Sequence, residues 1–403
     1  MLSTNDINIV KSTVPLLEAG GIAITEHFYN RMFTHNPELK DIFNMSNQQT
    51  GRQKVALFEA IAAYAKNLDN LAVLKHAVER ITHKHTSFHI KPADYDIVGL
   101  HLIETFRELL PEQFTSAVEQ AWTNAYGVLA NLFINKEEAL YSERESSEGG
   151  WRGKRAFALV AKERESALVT SFTFEPIDQQ AVMDFNPGQY IGIELKPTTS
   201  EHIEIRQYSL STSPNGKSYR ISVKRELGNQ SQNNAMTNQG VMSNYLHDHL
   251  NVGDLVDLHA PTGDFFFQDK KAPVVLISAG VGITPMQAML STLSANNYPQ
   301  QVSYIHACEN ASQHSFKSNT QAVCQRHGWK EYTWYNNETN TSAQDNTFNG
   351  FIDFTQIELP LTSGDFYLCG PVGFMKFAKE SLVKLGVSED RIHYEVFGPH
   401  ATL

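Results

Sequence analysis

Three groups of residues in this 403-residue chain have types and spacings that could do chemistry. The first centres on His85. Leu74, Val78, Ile81 and His85 recur at three- and four-residue spacing, so a helix would set them on one stripe, while His76 and His83 fall with Arg80 and Ser87 on the polar side. An imidazole on an apolar stripe either finds a local partner as a core histidine or offers a ring nitrogen to a metal. The second group pairs Tyr29, on a helix with Ile22, Phe28, Met32 and Phe33, with Gln53, which heads a stripe of Leu57, Ile61 and Tyr64. A polar residue heading an apolar stripe suits a lined ligand pocket, although a core tyrosine with a local acceptor has the same pattern. The third is Gly280-Val281-Gly282-Ile283-Thr284-Pro285, between an apolar run and a helical pattern. Glycines in that context let a dinucleotide pyrophosphate approach the backbone, and Pro285, replacing the third glycine of the dehydrogenase fingerprint, can open the helix.

The elements that must position these groups differ along the chain. From Met1 to about Tyr141 the apolar period is helical, with Pro37, Pro92 and Pro111 marking breaks, so this third reads as all-α. The polar stretch Ser142 to Gly150 reads as a linker. From Trp151 short β-rich runs follow (Phe157 to Ala161, Leu168 to Phe174, Tyr190 to Leu195, Tyr219 to Lys224), with Pro187-Gly188 and Pro214-Asn215-Gly216 as turns, which predicts an antiparallel β-barrel or sandwich. Beyond Pro273 the runs Val274 to Ala279, Val302 to Ala307 and Phe366 to Leu368 alternate with helical patterns, which predicts a parallel α/β sheet. Residues 228 to 239, rich in Asn and Gln, read as an exposed loop insertion. The expected organisation is multidomain: a helical domain over 1–138, a linker over 139–151, a barrel over 152–265 and an α/β domain over 272–403.

Composition limits the functions available. Hydrophobic residues at 41% and charged residues at 19% fit a globular chain, and no apolar run approaches the length of a membrane span. Cys308, Cys324 and Cys369 lack CxxC spacing and read as free thiols of a reducing, cytoplasmic compartment. A formal charge of −11 without a basic block disfavours nucleic acid. Small-molecule substrates are expected, with no membrane insertion and a monomeric state.

The stretches Phe28-Tyr29-Asn30-Arg31-Met32-Phe33, Pro37-Glu38-Leu39, Ile42-Phe43-Asn44-Met45-Ser46-Asn47-Gln48 and Lys84-His85-Thr86-Ser87-Phe88 resemble the haemoglobin domain of the flavohaemoglobin family. Arg206-Gln207-Tyr208-Ser209 resembles the RxYS motif of ferredoxin reductase-like flavoproteins. It has companions in Pro187-Gly188-Gln189-Tyr190, Gly240-Val241-Met242-Ser243 and Pro261-Thr262-Gly263-Asp264-Phe265. The resemblance extends over nearly the whole chain. It implies a globin fold followed by an FAD-binding β-barrel and an NAD(P)-binding domain, with haem b, FAD and NADH or NADPH as cofactors.

On that resemblance His85 is the proximal iron ligand, Tyr29, Gln53 and Leu57 line the distal pocket, and Phe43 packs on the macrocycle. Tyr95 and a glutamate orient the His85 ring; Glu137 matches, with Glu138 adjoining it. Arg206 is implied for the FAD pyrophosphate, with Gln207 beside it in the motif, Tyr208 on the flavin ring, Ser209 near its reactive nitrogen, Tyr190 of the companion motif among the cofactor-binding residues, and Gly240, Val241 and Ser243 at phosphate oxygens. The nicotinamide cofactor falls to Gly280 through Pro285 and to Cys369-Gly370-Pro371, with Cys369 alternatively only a small buried hydrophobe. Val396-Phe397-Gly398-Pro399 covers the flavin, and Lys84 and Glu395 are thought to tune the redox potentials. Glu309 would disfavour a 2′-phosphate if it points inward, which leans toward NADH.

The implied activity is a nitric oxide dioxygenase, in which NAD(P)H reduces FAD, FAD reduces the haem iron, and nitric oxide and oxygen become nitrate. The alternatives are an oxygen-binding or sensing haemoglobin whose reductase only keeps the iron ferrous, and a flavin reductase whose helical domain docks a partner without haem.

Overall fold

A computed structural model describes residues 2–43, 45, 51–230, 236, 237, 239–338 and 345–398. By its internal contacts the chain divides into two compact units, Met1–Lys154 with Glu194–Arg206, and Arg155–Ile193 with Gln207–Leu403.

The first unit is helical. Its helices are α1 (Thr4–Ser12), α2 (Val14–Gly20), α3 (Ile22–His35), α4 (Arg52–Lys66), α5 (Lys75–Thr86), α6 (Pro92–Leu109) and α7 (Ser116–Ser146). The expected breaks occur where the prolines stand: Pro37 opens a 3₁₀ turn, Pro92 is the first residue of α6, and Pro111 lies just past its end. Proline is tolerated at a first helical turn because the amide it lacks would be unpaired there anyway. Phe28, Met32, Phe106 and Trp122 form the centre of the core, where the rings of Phe106 and Trp122 lie 5.0 Å apart. The Trp122 indole donates to Thr13 Oγ1 at 3.1 Å and the Tyr64 hydroxyl to the Ala125 carbonyl at 2.7 Å, so neither polar tip is left unpaired.

The serine-rich stretch from Ser142, read as a linker from its turn-favouring residues, is helical as far as Ser146. Tyr141 and Arg144 are buried, and the Tyr141 hydroxyl donates to the Ile90 carbonyl at 3.0 Å. Tertiary packing therefore extends the helix through residues whose local preference is for turns.

Both predicted sheet types are present after the helical region, and most of their residues belong to the second unit. Strands β1 (Lys154–Arg164), β2 (Val169–Pro176), β3 (Tyr190–Leu195), β4 (Glu204–Ser209), β5 (Tyr219–Lys224) and β8 (Leu255–Thr262) form a six-stranded sheet in the order β4-β3-β8-β1-β2-β5. The pairs β1 with β2 and β2 with β5 are antiparallel. A bridge between Leu210 and Ile221, with the Ser211 amide donating to the Arg220 carbonyl at 2.9 Å, joins the β5 edge to the continuation of β4 and closes a barrel. Between β5 and β8 lie the two-residue strands β6 (Asn229–Gln230) and β7 (Met236–Thr237), then α8 (Val241–Asp248). The insertion read as a loop thus carries a short antiparallel pair, and its residues 231–235 and 238 lie outside the described residues.

The second sheet comprises β9 (Val274–Ala279), β10 (Val302–Cys308), β11 (Lys330–Tyr335), β12 (Thr347–Asn349), β13 (Asp365–Cys369) and β14 (Ile392–Glu395), with helices α9 (Ile283–Ala295), α10 (Lys317–His327) and α11 (Val372–Lys384). All five pairings are parallel and the order is β12-β11-β10-β9-β13-β14. Every residue of β9 and β13 is buried, as strands covered on both faces must be. The chain moves outward from β9 in one direction, then returns to its other side at β13. That reversal leaves a crevice beyond the carboxyl ends of β9 and β13, where doubly wound sheets bind ligands.

Candidate functional site

His85 lies in the last turn of α5, on the stripe its spacing predicts. Its Nδ1 is 2.8 Å from Glu137 Oε1 and 2.8 Å from the Tyr95 hydroxyl, which itself donates to the same carboxylate oxygen at 2.5 Å. The Glu137 residue is 2% exposed, whereas Glu138 faces outward and pairs with Arg152 and the Ser142 hydroxyl. Of the two adjacent acids, Glu137 is the one that reaches the imidazole. A neutral ring that donates from Nδ1 keeps the Nε2 lone pair available, and among the described residues Nε2 makes no hydrogen bond. Burial, with the Glu137 carboxylate alongside, holds the Tyr95 phenol far above its ordinary range, so it acts here as a donor. Sequence reading missed Phe133, whose ring is 5.6 Å from His85 and stacks on Tyr95 at 6.3 Å. The signal was available, since Phe133 precedes Glu137 by four residues and so shares its helix face.

On α3, Tyr29 is buried in an aromatic cluster, 5.9 Å from Phe43, 5.8 Å from Phe33 and 5.1 Å from Phe28 between ring centroids. Gln53 and Leu57 lie on the first turns of α4, and the buried Gln53 Oε1 has no hydrogen-bond partner among the described residues. Lys84 places its ammonium 5.8 Å from the Phe88 ring centroid. A buried acceptor without a partner, an aromatic cluster around a tyrosine, and an imidazole with one nitrogen held and the other available are features that suit a haem pocket.

The barrel carries its candidate residues on β3, β4 and α8. Arg206 pairs with Glu204 and donates to the Ile205 carbonyl at 2.9 Å. Gln207 follows with a buried Nε2 that lacks a partner among the described residues, then Tyr208 and the buried Ser209. Gly240 is the N-cap of α8, and Ser243 Oγ accepts the Glu226 amide and donates to the Gly240 carbonyl, both at 3.2 Å. Ser243 therefore shapes the helix start, and Val241 stands at its first position. At the other end Lys162 donates to the carbonyls of His247 at 2.7 Å and Leu250 at 2.8 Å. Helix α8 is thus held at both termini, and its first amides are available for anionic oxygen.

In the parallel sheet, Gly280, with φ of 54°, turns the chain out of β9. A Cβ at Gly282 would lie 2.2 Å from the Cys369 carbonyl oxygen, so the two turns at the strand ends touch backbone to backbone. That contact brings Gly280 through Pro285 beside Cys369-Gly370-Pro371 at the crevice. The side chain of Cys369 is fully buried, and burial pushes its thiol well above the usual value, which favours the hydrophobe reading for that side chain. Glu395 ends β14 opposite Cys369, Val396 is buried, Phe397 is exposed, and Pro399 lies outside the described residues. Glu309 follows β10 and accepts from Asn337 Nδ2 at 2.5 Å.

Comparison with known proteins agrees with this architecture. A globin family model matches residues 26–132, an oxidoreductase FAD-binding domain matches 156–267 and an oxidoreductase NAD-binding domain matches 276–380. The flavohemoprotein of Vibrio cholerae is 56% identical over 404 residues, covering 100% of each chain. This chain belongs to the flavohaemoprotein family.

Among solved structures of the family, the flavohemoglobin of Malassezia yamatoensis with bound FAD and haem superposes with a TM-score of 0.86 at 27% identity, covering 98% of this chain and 100% of its own. The FAD/NAD-binding domain of the Vibrio cholerae nitric oxide dioxygenase is 48% identical, with a TM-score of 0.57, over 62% of this chain and 100% of its own. Among the described residues no single helix is long and apolar enough to cross a membrane.

Proposed function

We propose that this flavohaemoprotein is an NAD(P)H-dependent nitric oxide dioxygenase. The observation that carries the reading is 56% identity over the full length with a flavohaemoprotein, in a chain that itself matches globin, FAD-binding and NAD-binding models in turn. The modules correspond to 1–138, 152–265 and 272–403, and the protein acts as a cytoplasmic monomer on nitric oxide, oxygen and reduced nicotinamide, without nucleic acid.

Haem, FAD and nicotinamide, when bound, supply the redox chemistry by which two electrons from NAD(P)H let two nitric oxide and two oxygen molecules become two nitrate ions and a proton. The residues supply position and charge. His85 Nε2 would hold the iron, while Glu137 and Tyr95, gripping Nδ1 at 2.8 Å, fix the ring and raise its donor strength. Tyr29 and Gln53 give the distal side a hydroxyl donor and an amide, and Phe43, Leu57 and their neighbours keep it dry, which strengthens each polar contact made there. Arg206, Tyr208, Ser209, Tyr190 and the start of α8 would hold FAD; Gly280 through Pro285 and Gly370-Pro371 would receive the dinucleotide. Lys84 and Glu395 place one charge of each sign for tuning potentials. Glu309, already accepting from Asn337, would repel a 2′-phosphate, which favours NADH.

The experiment supplies purified protein with NADH, oxygen and nitric oxide. One nitrate per nitric oxide, with NADH consumed at half that amount, is expected; absence of nitrate rejects the activity. Slow reoxidation with little NADH consumed would instead favour an oxygen carrier.

A further inference from the structure

Neither Arg220 nor Phe316 has a part in the chemistry derived so far, yet both sit in unusual places. Arg220 lies on β5 of the barrel, with its guanidinium mostly withdrawn from water by the surrounding protein. Its Nε donates to Ser211 Oγ at 3.2 Å and its Nη2 to the Ser211 carbonyl, while its own carbonyl accepts the Ser211 amide at 2.9 Å. Ser211 continues the strand that carries Arg206-Gln207-Tyr208-Ser209. Its hydroxyl is 2.7 Å from that of Ser222, which is 2.7 Å from that of Ser171, which donates to Glu165 at 2.6 Å. Arg220 is therefore fixed to the continuation of the flavin-motif strand by a connected polar network.

The guanidinium also packs over the Phe316 ring, with its central carbon 5.5 Å from the ring centroid. Phe316 belongs to the nicotinamide-binding sheet, in the connection from β10 to α10, and is buried with a left-handed backbone at φ of 59°. A bulky residue rarely holds that conformation unless its surroundings impose it. Two further bonds join the same connection to the barrel. The Ala167 amide donates to the Ser312 carbonyl at 2.8 Å, and the Ser315 hydroxyl to that of Ser166 at 3.0 Å.

We propose that Arg220, clamped to Ser211 and packed on Phe316, is a positioning residue that registers the nicotinamide-binding sheet on the flavin-binding barrel and thereby sets the geometry of hydride transfer. In that step the C4–H bond of the nicotinamide breaks, its two electrons and proton pass together to the flavin, and a solvent proton completes the reduced ring; the nicotinamide is oxidised and the flavin reduced. Such a reaction needs its atoms within about 3–3.5 Å, so a small slip between the two lobes is costly. The role rests on the reductase reading of the same unit.

The test compares Arg220→Met, Arg220→Lys and the wild type in the full-length, cofactor-loaded protein by anaerobic stopped flow with NADH, and in the FAD-free protein by amide hydrogen exchange. Arg220→Met is expected to slow flavin bleaching at saturating NADH by about tenfold or more, with NADH affinity changed less than twofold. It should enlarge the primary isotope effect with C4-deuterated NADH and accelerate exchange across residues 311–317 without FAD. Arg220→Lys, which restores a cation over the ring, should regain much of the rate. Unchanged bleaching and isotope effect, unchanged exchange, or a loss that lysine leaves uncorrected would overturn the role. Should Arg220→Met fail to fold, Phe316→Leu undergoes the same measurements, with slowed bleaching again expected and unchanged bleaching again overturning the role. A wild-type flavin that NADH does not bleach overturns the reductase reading as well; a bleached wild type with an unaffected variant overturns the positioning role alone.

Discussion

At the scale of single residues, the groups that hold the imidazole of His85 decide what the haem side can do. A carboxylate that accepts from the second ring nitrogen orients a ligand, and losing it typically costs ten- to a hundredfold in affinity or activity. Glu137→Gln should therefore lower nitrate turnover by roughly tenfold or more while the haem is retained, and Glu138→Gln should leave turnover within twofold of the wild type, because its oxygens pair with Arg152 away from the ring. Equal effects from the two variants would contradict the assignment. Much of this was legible: the heptad-like stripe through Leu74, Val78 and Ile81 points the imidazole inward, and the family match names its partners. What residue type alone could not choose was Glu137 over Glu138, and only the family resemblance pointed to Glu137. That choice follows from the angular position of α7, which packing against α5 decides; the ring of Phe133 one turn earlier marks the buried face.

Secondary-structure elements carry a second class of predictions. Beyond β9 the crossover is tight enough that Gly282→Ala would push a methyl to 2.2 Å from the Cys369 carbonyl oxygen. The backbone must move, so NADH-driven flavin reduction should fall by an order of magnitude while the haem spectrum stays as in the wild type; stopped-flow absorbance reads both. Strand β11 and the connection from β10 to α10 carry two groups, Glu331 and His314, with opposite pH behaviour. Burial raises the Glu331 carboxyl to about 7, against the opposing pull of Lys317 and a hydrogen bond with Thr333, and it lowers His314 to about 4. For Glu331 the folded chain holds its proton longer than the unfolded one, so stability is full below the unfolded value and is lost as pH rises toward 7. For His314 the unfolded chain binds its proton first, so stability is lost as pH falls from about 6.5 toward 4. Glu331→Gln should accordingly raise the melting temperature at pH 8 and leave it unchanged at pH 4.5, as calorimetry would show; a gain at both pH values would contradict the burial argument.

The same elements show where sequence patterns stop being informative. The apolar runs from Val274 and Tyr219 predict β9 and β5 to the residue, because strands buried on both faces or alternating cleanly leave little choice. Ser142 to Ser146 misled, since serines favour turns only where nothing larger holds the helix, and Tyr141 with Arg144 holds it here. Strand β11 was missed: Lys330 and Glu331 at its start look like surface, although four of its six residues are buried. The junction of Arg220 with Phe316 left no signal at all, because residues 96 apart in sequence meet only through the packing of barrel on sheet.

For the molecule as a whole, joining the modules in one chain makes electron supply intramolecular and therefore insensitive to protein concentration. Per-molecule turnover should stay constant over a hundredfold dilution at fixed NADH, oxygen and nitric oxide, whereas a rate that falls with dilution would indicate delivery between chains. Oxidised and reduced cofactors absorb at separate wavelengths, so one record can follow the path. The most direct test adds NADH to the purified protein without oxygen, then supplies oxygen and nitric oxide from separate solutions, while recording flavin and Soret absorbance and measuring nitrate. The expected result is bleaching of the flavin, a ferrous Soret shift and nitrate equal to the nitric oxide supplied, with the Soret signature lost in His85→Ala. A wild-type protein without a Soret band, or one whose iron stays oxidised under NADH, would contradict the account.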